Sequence, residues 1–304
     1  MMSEMKNLPK IPASEFAFVG DEGRLHDKKL ETKPVGYFKD AMIRFCKNKS
    51  SVVAAYIILF LVLYAIFVPI FCETTYSRAL TDTTYLMYTK LPPKVEGMGW
   101  LGMDGTGNVT VNEADYNTMR ALAQETGLDP VLEVYRAAYT DPTSSSKTTF
   151  YDLKVDNYYR MGMAYLTLTP DEFESIQAWQ DETGIQVIYP AITDTRQSDA
   201  NIWYEANRKG VATLDDEGNF QPIYKTTTPT DTTYHSLRIA ADNDPERPLA
   251  YARVGGTSSA PSYVVRVCKY TYFQYRYGFE PAFVFGTNAK GQDIFTRLAA
   301  KRRT

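Results

Sequence analysis

The chain has 304 residues, with 33 basic and 36 acidic side chains, two His and three Cys. At 44% hydrophobic and 23% charged, with 18 Gly and 16 Pro, it is not a collagen, a coiled coil, a wholly disordered chain or a disulfide-stapled miniprotein. A net charge of −3 gives no global drive toward nucleic acid, so no nucleic-acid partner is expected. Mean hydropathy is −0.33, a soluble protein's average that conceals one stretch.

Residues 1–49 read as a cytoplasmic N-terminal segment. Met1 to Lys33 mixes charges, Pro and Gly without periodicity. Tyr37, Phe38, Ala41, Met42 and Phe45 then recur at helical spacing, with Lys39, Asp40, Arg44 and Lys47 around the rest of the turn. This predicts a juxtamembrane amphipathic helix on the membrane surface, or else a continuation of the helix that follows.

Residues 50–72, SSVVAAYIILFLVLYAIFVPIFC, carry no charge. As a helix they span about 35 Å, enough to cross a hydrocarbon core of about 30 Å. Fourteen are Val, Ile, Leu or Phe, together favouring insertion by about 4 to 8 kcal/mol. No polar stripe marks a buried core helix, and Ile70-Phe71-Cys72 offers no signal-peptide cleavage site. Lys39, Arg44, Lys47 and Lys49 before the span, and Glu73 after it, predict a cytoplasmic N-terminus and an extracytoplasmic continuation.

Residues 73–280 carry 28 acidic and 18 basic side chains, hence −10, and most of the Tyr. Thr169-Pro170-Asp171-Glu172 is a capping box that starts a helix with Phe173, Ile176 and Trp179 on one face and Gly184 at its end. A second helix runs from near Asn112 to Gly127, with Tyr116, Met119 and Leu122 as its apolar face. Thr110–Leu128 lies over Thr167–Ile185 at an offset of 57 residues, as copies of one unit or as two unrelated amphipathic helices. Strands are predicted at 148–154, 158–167, 185–189, 220–227 and 262–277. Turns fall at Asp216-Glu217-Gly218-Asn219, Asp242-Asn243-Asp244-Pro245 and Gly255-Gly256. Helices and strands do not alternate regularly, so the expected class is a membrane-anchored α+β protein: one transmembrane helix and a mixed α+β extracytoplasmic domain.

Catalysis is not expected. His26 and His235 fall on opposite sides of the span, and neither Cys-x-x-Cys nor His-Glu-x-x-His occurs. Cys72 and Cys268 fall on the same side, where free thiols are favoured over a bridge. Asp104, Thr106, Asn108, Thr110 and Asp115 have the spacing of the calcium loop of dockerin and EF-hand modules. Val109 stands where that loop has Gly, and a Gly-rich turn into an Asn-capped helix is the competing reading. Asn108-Val109-Thr110 is also a glycosylation sequon.

Residues 281–304 contain Gly286-Thr-Asn-Ala-Lys-Gly291, phosphate-loop spacing without the Lys-Ser/Thr that loop requires. Phe285-Gly286-Thr287-Asn288, Gly291 and Asp293-Ile294-Phe295-Thr296-Arg297-Leu298 resemble the phrase FGTDxxGRDxxSRL. That phrase marks the C-type permease subunit of oligopeptide, dipeptide and nickel ABC importers. Arg44 to Lys49, the apolar span and Val68-Pro69-Ile70 are similar to the start of the same family. Asn288 stands for the family's Asp and Gln292 for its Arg. The resemblance implies an importer of peptides or similar small solutes at the bacterial cytoplasmic membrane. Its partners would be a second permease subunit, two cytoplasmic ATPase subunits and an extracytoplasmic solute-binding protein. ATP would be hydrolysed by those ATPases, so no cofactor is expected in this chain. It also implies that residues 281–304 begin the permease core, that residues 73–280 replace a short loop, and that the sequence is an N-terminal portion or a truncated version. The alternative is a single-pass membrane protein whose outer domain binds a ligand or partner.

Overall fold

A computed structural model describes residues 12, 14, 36–76, 87–140, 148–193, 199–228, 230–235, 246 and 248–299. The chain divides into two compact units, Met1–Phe60 and Leu61–Thr304.

In the first unit the apolar stripe between Tyr37 and Phe45 forms helix α1 (Tyr37–Lys47), its polar side carrying an exposed Asp40–Arg44 pair at 2.8 Å. Asn48 turns extended, with φ −89° and ψ 102°, so α1 is separate from the next helix rather than its continuation. The Asn48 side chain accepts from the Ser50 amide at 3.1 Å. Helix α2 (Lys49–Tyr76) follows, and its Lys49–Val68 stretch is long and apolar enough to cross a membrane. None of that stretch is buried in the protein, so it is not the core helix of a soluble fold.

The second unit contains the duplication as two β-α-β-β motifs. Strand β1 (Thr106–Asn112) leads into helix α3 (Glu113–Thr126), then β2 (Val131–Thr140) and β3 (Thr149–Asp156). Strand β4 (Met163–Leu168) leads into helix α4 (Pro170–Thr183), then β5 (Ile188–Tyr189) and, after a long excursion, β8 (Ala260–Cys268). In each motif the last strand is central and antiparallel to both neighbours: β3 between β1 and β2, β8 between β4 and β5. Both ends of α3 and of α4 differ by the same 57 residues. Their caps correspond as well. Asn112 accepts from the Asp115 amide and Thr169 from the Glu172 amide, while Gly127 and Gly184 take the left-handed conformation that ends each helix. The offset in the sequence is thus a structural repeat.

The excursion between β5 and β8 adds β6 (Tyr234–His235) and β7 (Ala252–Thr257), which extend the β8 edge that β5 begins. Here the expected strands need correction. Residues 220–227 form isolated bridges, Tyr224 with Ile192 and Thr226 with Leu249, rather than a strand. The 158–167 strand begins only at Met163, after a 3-10 turn at Tyr159–Met161. The 262–277 strand stops at Cys268 and becomes helix α5 (Lys269–Tyr277). Its aromatic residues fit either period, and burial decides. As a helix it sends Tyr270 and Phe273 into one core and Tyr272 into another. Strand β2 was not expected at all, being exposed almost throughout and without alternation. The turn at 242–245 lies outside the described residues.

Period-2 alternation along β8 sorts the cores. Val265 and Val267 pack under α4 with Phe173 and Ile176, while Cys268 belongs to the opposite face with Trp203, Tyr204 and Phe273. Helix α3 serves two layers: Met119 packs on Leu153 and Val155 of its own sheet, and Ala121 and Leu122 on the Trp203 core. Each such buried Phe, Ile or Leu contributes about 1.5–3 kcal/mol.

Candidate functional site

The Phe285–Leu298 phrase near the C-terminus folds as a clasp on residues 87–94. Gly286 adopts φ +71°, and a Cβ there would sit 2.2 Å from the Leu91 carbonyl oxygen, so only glycine allows this approach. Thr287 then pairs with Leu91 by backbone and side chain. Its amide donates to the Leu91 carbonyl at 2.9 Å, and its Oγ1 accepts from the Leu91 amide at 2.8 Å while donating to the Tyr88 carbonyl. Lys90 donates to the Asn288 carbonyl at 3.1 Å and Lys94 to the Phe283 carbonyl at 2.9 Å.

The rest of the phrase braces this contact. Asn288 Oδ1 accepts from the Lys290 and Gln292 amides, and its Nδ2 donates to Gln292 Oε1 at 3.3 Å. Asn288 and Gln292 thus form a neutral amide pair. Gly291 closes the turn by donating to the Asn288 carbonyl. Asp293 caps helix α6 (Ile294–Ala299), accepting from the Thr296 amide at 3.1 Å and from its hydroxyl. Thr287, Gln292, Asp293 and Thr296 are all buried. Phe285 and Arg297 are exposed, and the Phe285 ring lies 5.6 Å from that of Phe295. Phe295 meets Tyr64 of α2 edge-on at 5.0 Å, and the Tyr64 hydroxyl donates to its carbonyl. Lys301, Arg302 and Arg303 lie outside the described residues.

Five of the seven phrase residues thus form one turn, with Gly286, Thr287, Gly291 and Asp293 buried and Asn288 half-buried. Tyr88, Leu91, Lys94 and Tyr64, which complete it, carry no sequence signal, because their partners are about 200 positions away.

The structure does not bring the calcium candidates together. Thr106, Asn108 and Thr110 lie along β1, spread over about 13 Å, rather than converging as in a loop. Asp104 Oδ1 is engaged by the Thr106 amide and hydroxyl, and the amide bond is the largest cause of its lowered pKa. Thr110 Oγ1 donates to Asp152, and the Asp115 amide belongs to the Asn112 cap. Val109 is the reason: in place of the sixth-position Gly it continues a strand, and it pairs with Leu153. Among the described residues no three His, Cys, Asp or Glu gather as a metal site. His235 is an exposed residue of β6 beside Tyr263, Cys268 is a buried free thiol, and His26 and the Cys72 side chain lie outside the described residues. The clasp offers neither a nucleophile paired with a base nor a phosphate cradle. What it does is join two distant pieces of chain.

The apolar span and residues 87–93 of the clasp fall within a stretch that resembles known proteins. Residues 36–93 match the family model for the N-terminal TM domain of oligopeptide transport permease C. The match is confined to this N-terminal stretch, about a fifth of the chain. It is 37% identical over 106 residues to the oligopeptide transport system permease protein OppC of Bacillus subtilis (strain 168), covering 34% of this chain and 30% of that protein. It is 29% identical over 93 residues to the dipeptide transport system permease protein DppC of Lactococcus lactis subsp. cremoris (strain MG1363), covering 31% and 26% respectively. The chain therefore spans less than a third of the length of these curated relatives. No solved structure matches it.

Proposed function

We propose that the protein is a permease subunit of an ABC importer for peptides or similar small solutes. In this reading residues 1–49 are cytoplasmic, α2 spans the membrane, and residues 73–280 form an extracytoplasmic domain inserted into a permease loop. One observation carries it: the family-matched segment ends at residue 93, and residues 87–94 are hydrogen-bonded to Phe283 and to Thr287 and Asn288 of the phrase that resembles the same family. Everything between Lys94 and Phe283 leaves and re-enters the permease framework at one point. A domain can be interpolated there with little effect on the path of the remaining chain.

The partners of this reading are the lipid bilayer, a second permease subunit, two cytoplasmic ATPase subunits that hydrolyse ATP, and an extracytoplasmic solute-binding protein. Closure of the ATPases would drive alternating access between the two permease subunits. The acidic α+β domain would meet the binding protein or cap the entrance. Affinity purification of the tagged chain from native membranes tests this. Recovery of a second permease and two ATPases is expected. A chain that leaves the membrane with none of them would instead be a single-pass receptor or adhesion protein.

A further inference from the structure

The hairpin that opens the α+β domain carries an apolar tip. Its base is the Lys94–Asp104 bridge, and its interior is closed by Val95 donating to the Met103 carbonyl at 2.8 Å and Leu101 to the Met98 carbonyl at 3.0 Å. Gly102 turns the chain at φ +73°. On this ordered turn Trp100 is 81% exposed, Leu101 54% and Met98 42%. A Trp left so bare on a hydrogen-bonded turn is poorly placed in water but suited to a membrane interface, where its ring is apolar and its N–H is wet.

Three further observations say what covers it. The base of the hairpin adjoins the clasp, since Lys94 is bonded to Phe283 and a Cβ on Gly286 would touch Pro92 and Pro93. From the clasp, ring contacts run Phe285 to Phe295 to Tyr64, and Tyr64 lies in the outer half of the apolar span, eight residues or about 12 Å before its last uncharged residue, Cys72. Cations gather there within an acidic domain. Lys90 and Lys290 are both exposed and bind Asn288 through their amides, and Arg297 is exposed on α6. Each such cation is attracted to an anionic membrane surface.

We propose that the 95–103 hairpin and the exposed side of the clasp form a lipid-seating surface, with Trp100 at headgroup level. This surface would hold the α+β domain against the bilayer that α2 enters. The inference rests on α2 being a membrane span, and the experiment separates the two. The full chain is reconstituted into phosphatidylcholine–phosphatidylglycerol vesicles with and without dibrominated lipid. The emission of Trp100 is read as the difference between wild type and Trp100→Phe; Trp203 is buried and Trp179 half-buried. Brominated lipid is expected to quench more than half of that difference emission, and aqueous acrylamide to spare it. Acrylamide quenching without lipid quenching overturns the proposal and makes the tip a docking point for a protein. Failure of the chain to float with vesicles overturns both the seating surface and the span.

Discussion

Glu125 and Arg266 form a two-pronged buried ion pair across the two halves of the duplication. Arg266 Nη1 reaches Glu125 Oε1 at 3.0 Å and Nη2 reaches Oε2 at 2.5 Å, with side-chain exposures of 0% and 7%. The guanidinium also donates to the Ala200 and Pro190 carbonyls and lies 4.3 Å from the Trp203 ring centroid, while Tyr224 donates to Glu125 at 2.7 Å. Glu125 comes from α3 of the first motif and Arg266 from the central strand of the second. The equivalent of Glu125 in the second motif, Glu182, is exposed.

Glu125→Ala leaves Arg266 charged, buried and short of its partner, which costs about 3–5 kcal/mol. For a domain of this size that lowers Tm by about 10 °C. Glu182→Ala removes an exposed carboxylate and is expected to cost under about 0.5 kcal/mol. Thermal unfolding of the detergent-solubilised chain checks the contrast, and equal shifts in the two variants would remove the ion pair from the account.

Thr287→Val keeps the shape of the clasp but removes the hydroxyl that accepts from the Leu91 amide and donates to the Tyr88 carbonyl. Each orphaned buried group costs about 1–3 kcal/mol. Hydrogen exchange should therefore speed up at residues 88–94 before it does so at Leu153 or Val155. Thr287→Ser, which retains the hydroxyl, should exchange like wild type. A uniform change across the domain would mean that the clasp is not a local device.

The Cys268 thiol is pushed up from its ordinary value, mainly by burial. The folded state therefore keeps a proton that the unfolded chain releases above about pH 8.5, and domain stability falls as pH rises past that value. Tyr189 and Tyr224, raised by burial too, extend the loss above about pH 10. In Cys268→Ala the onset of alkaline Tm loss should move up toward pH 10. An unmoved onset would assign the effect to other groups. The same burial predicts that thiol reagents reach Cys268 only after denaturation.

Cys46 is exposed on α1 and reports topology directly. With the N-terminal segment inside, a membrane-impermeant maleimide should label it only after permeabilisation, and Cys46→Ser should abolish that increment. Labelling of Cys46 in intact cells would invert the proposed orientation.

Features that rest on local chemistry were readable from residue order. The span shows as an unbroken apolar run, α4 through its capping box, and the repeat through the Glu-Thr-Gly that closes both helices. The spacing of the Phe285–Leu298 phrase is visible in the sequence, but its structural purpose is not. Gly286 is required by a carbonyl at Leu91, nearly 200 residues earlier, and nothing near it announces that. Strand β2 escaped because both of its faces are exposed, and α5 was mistaken for a strand because a dense run of aromatics satisfies two periods.

The partition of charge was also readable by itself: a small positive excess before the span and an acidic stretch after it. That partition yields an expected orientation without any fold, because lipid sorts charge by position along the chain. The role of each individual charge was not readable. Glu125 and Glu182 occupy matching places in matching helices, yet one is buried against Arg266 and the other faces water. The difference arises because α3 packs between two sheets' cores while α4 covers the outside of one, and only tertiary packing settles which carboxylate is desolvated.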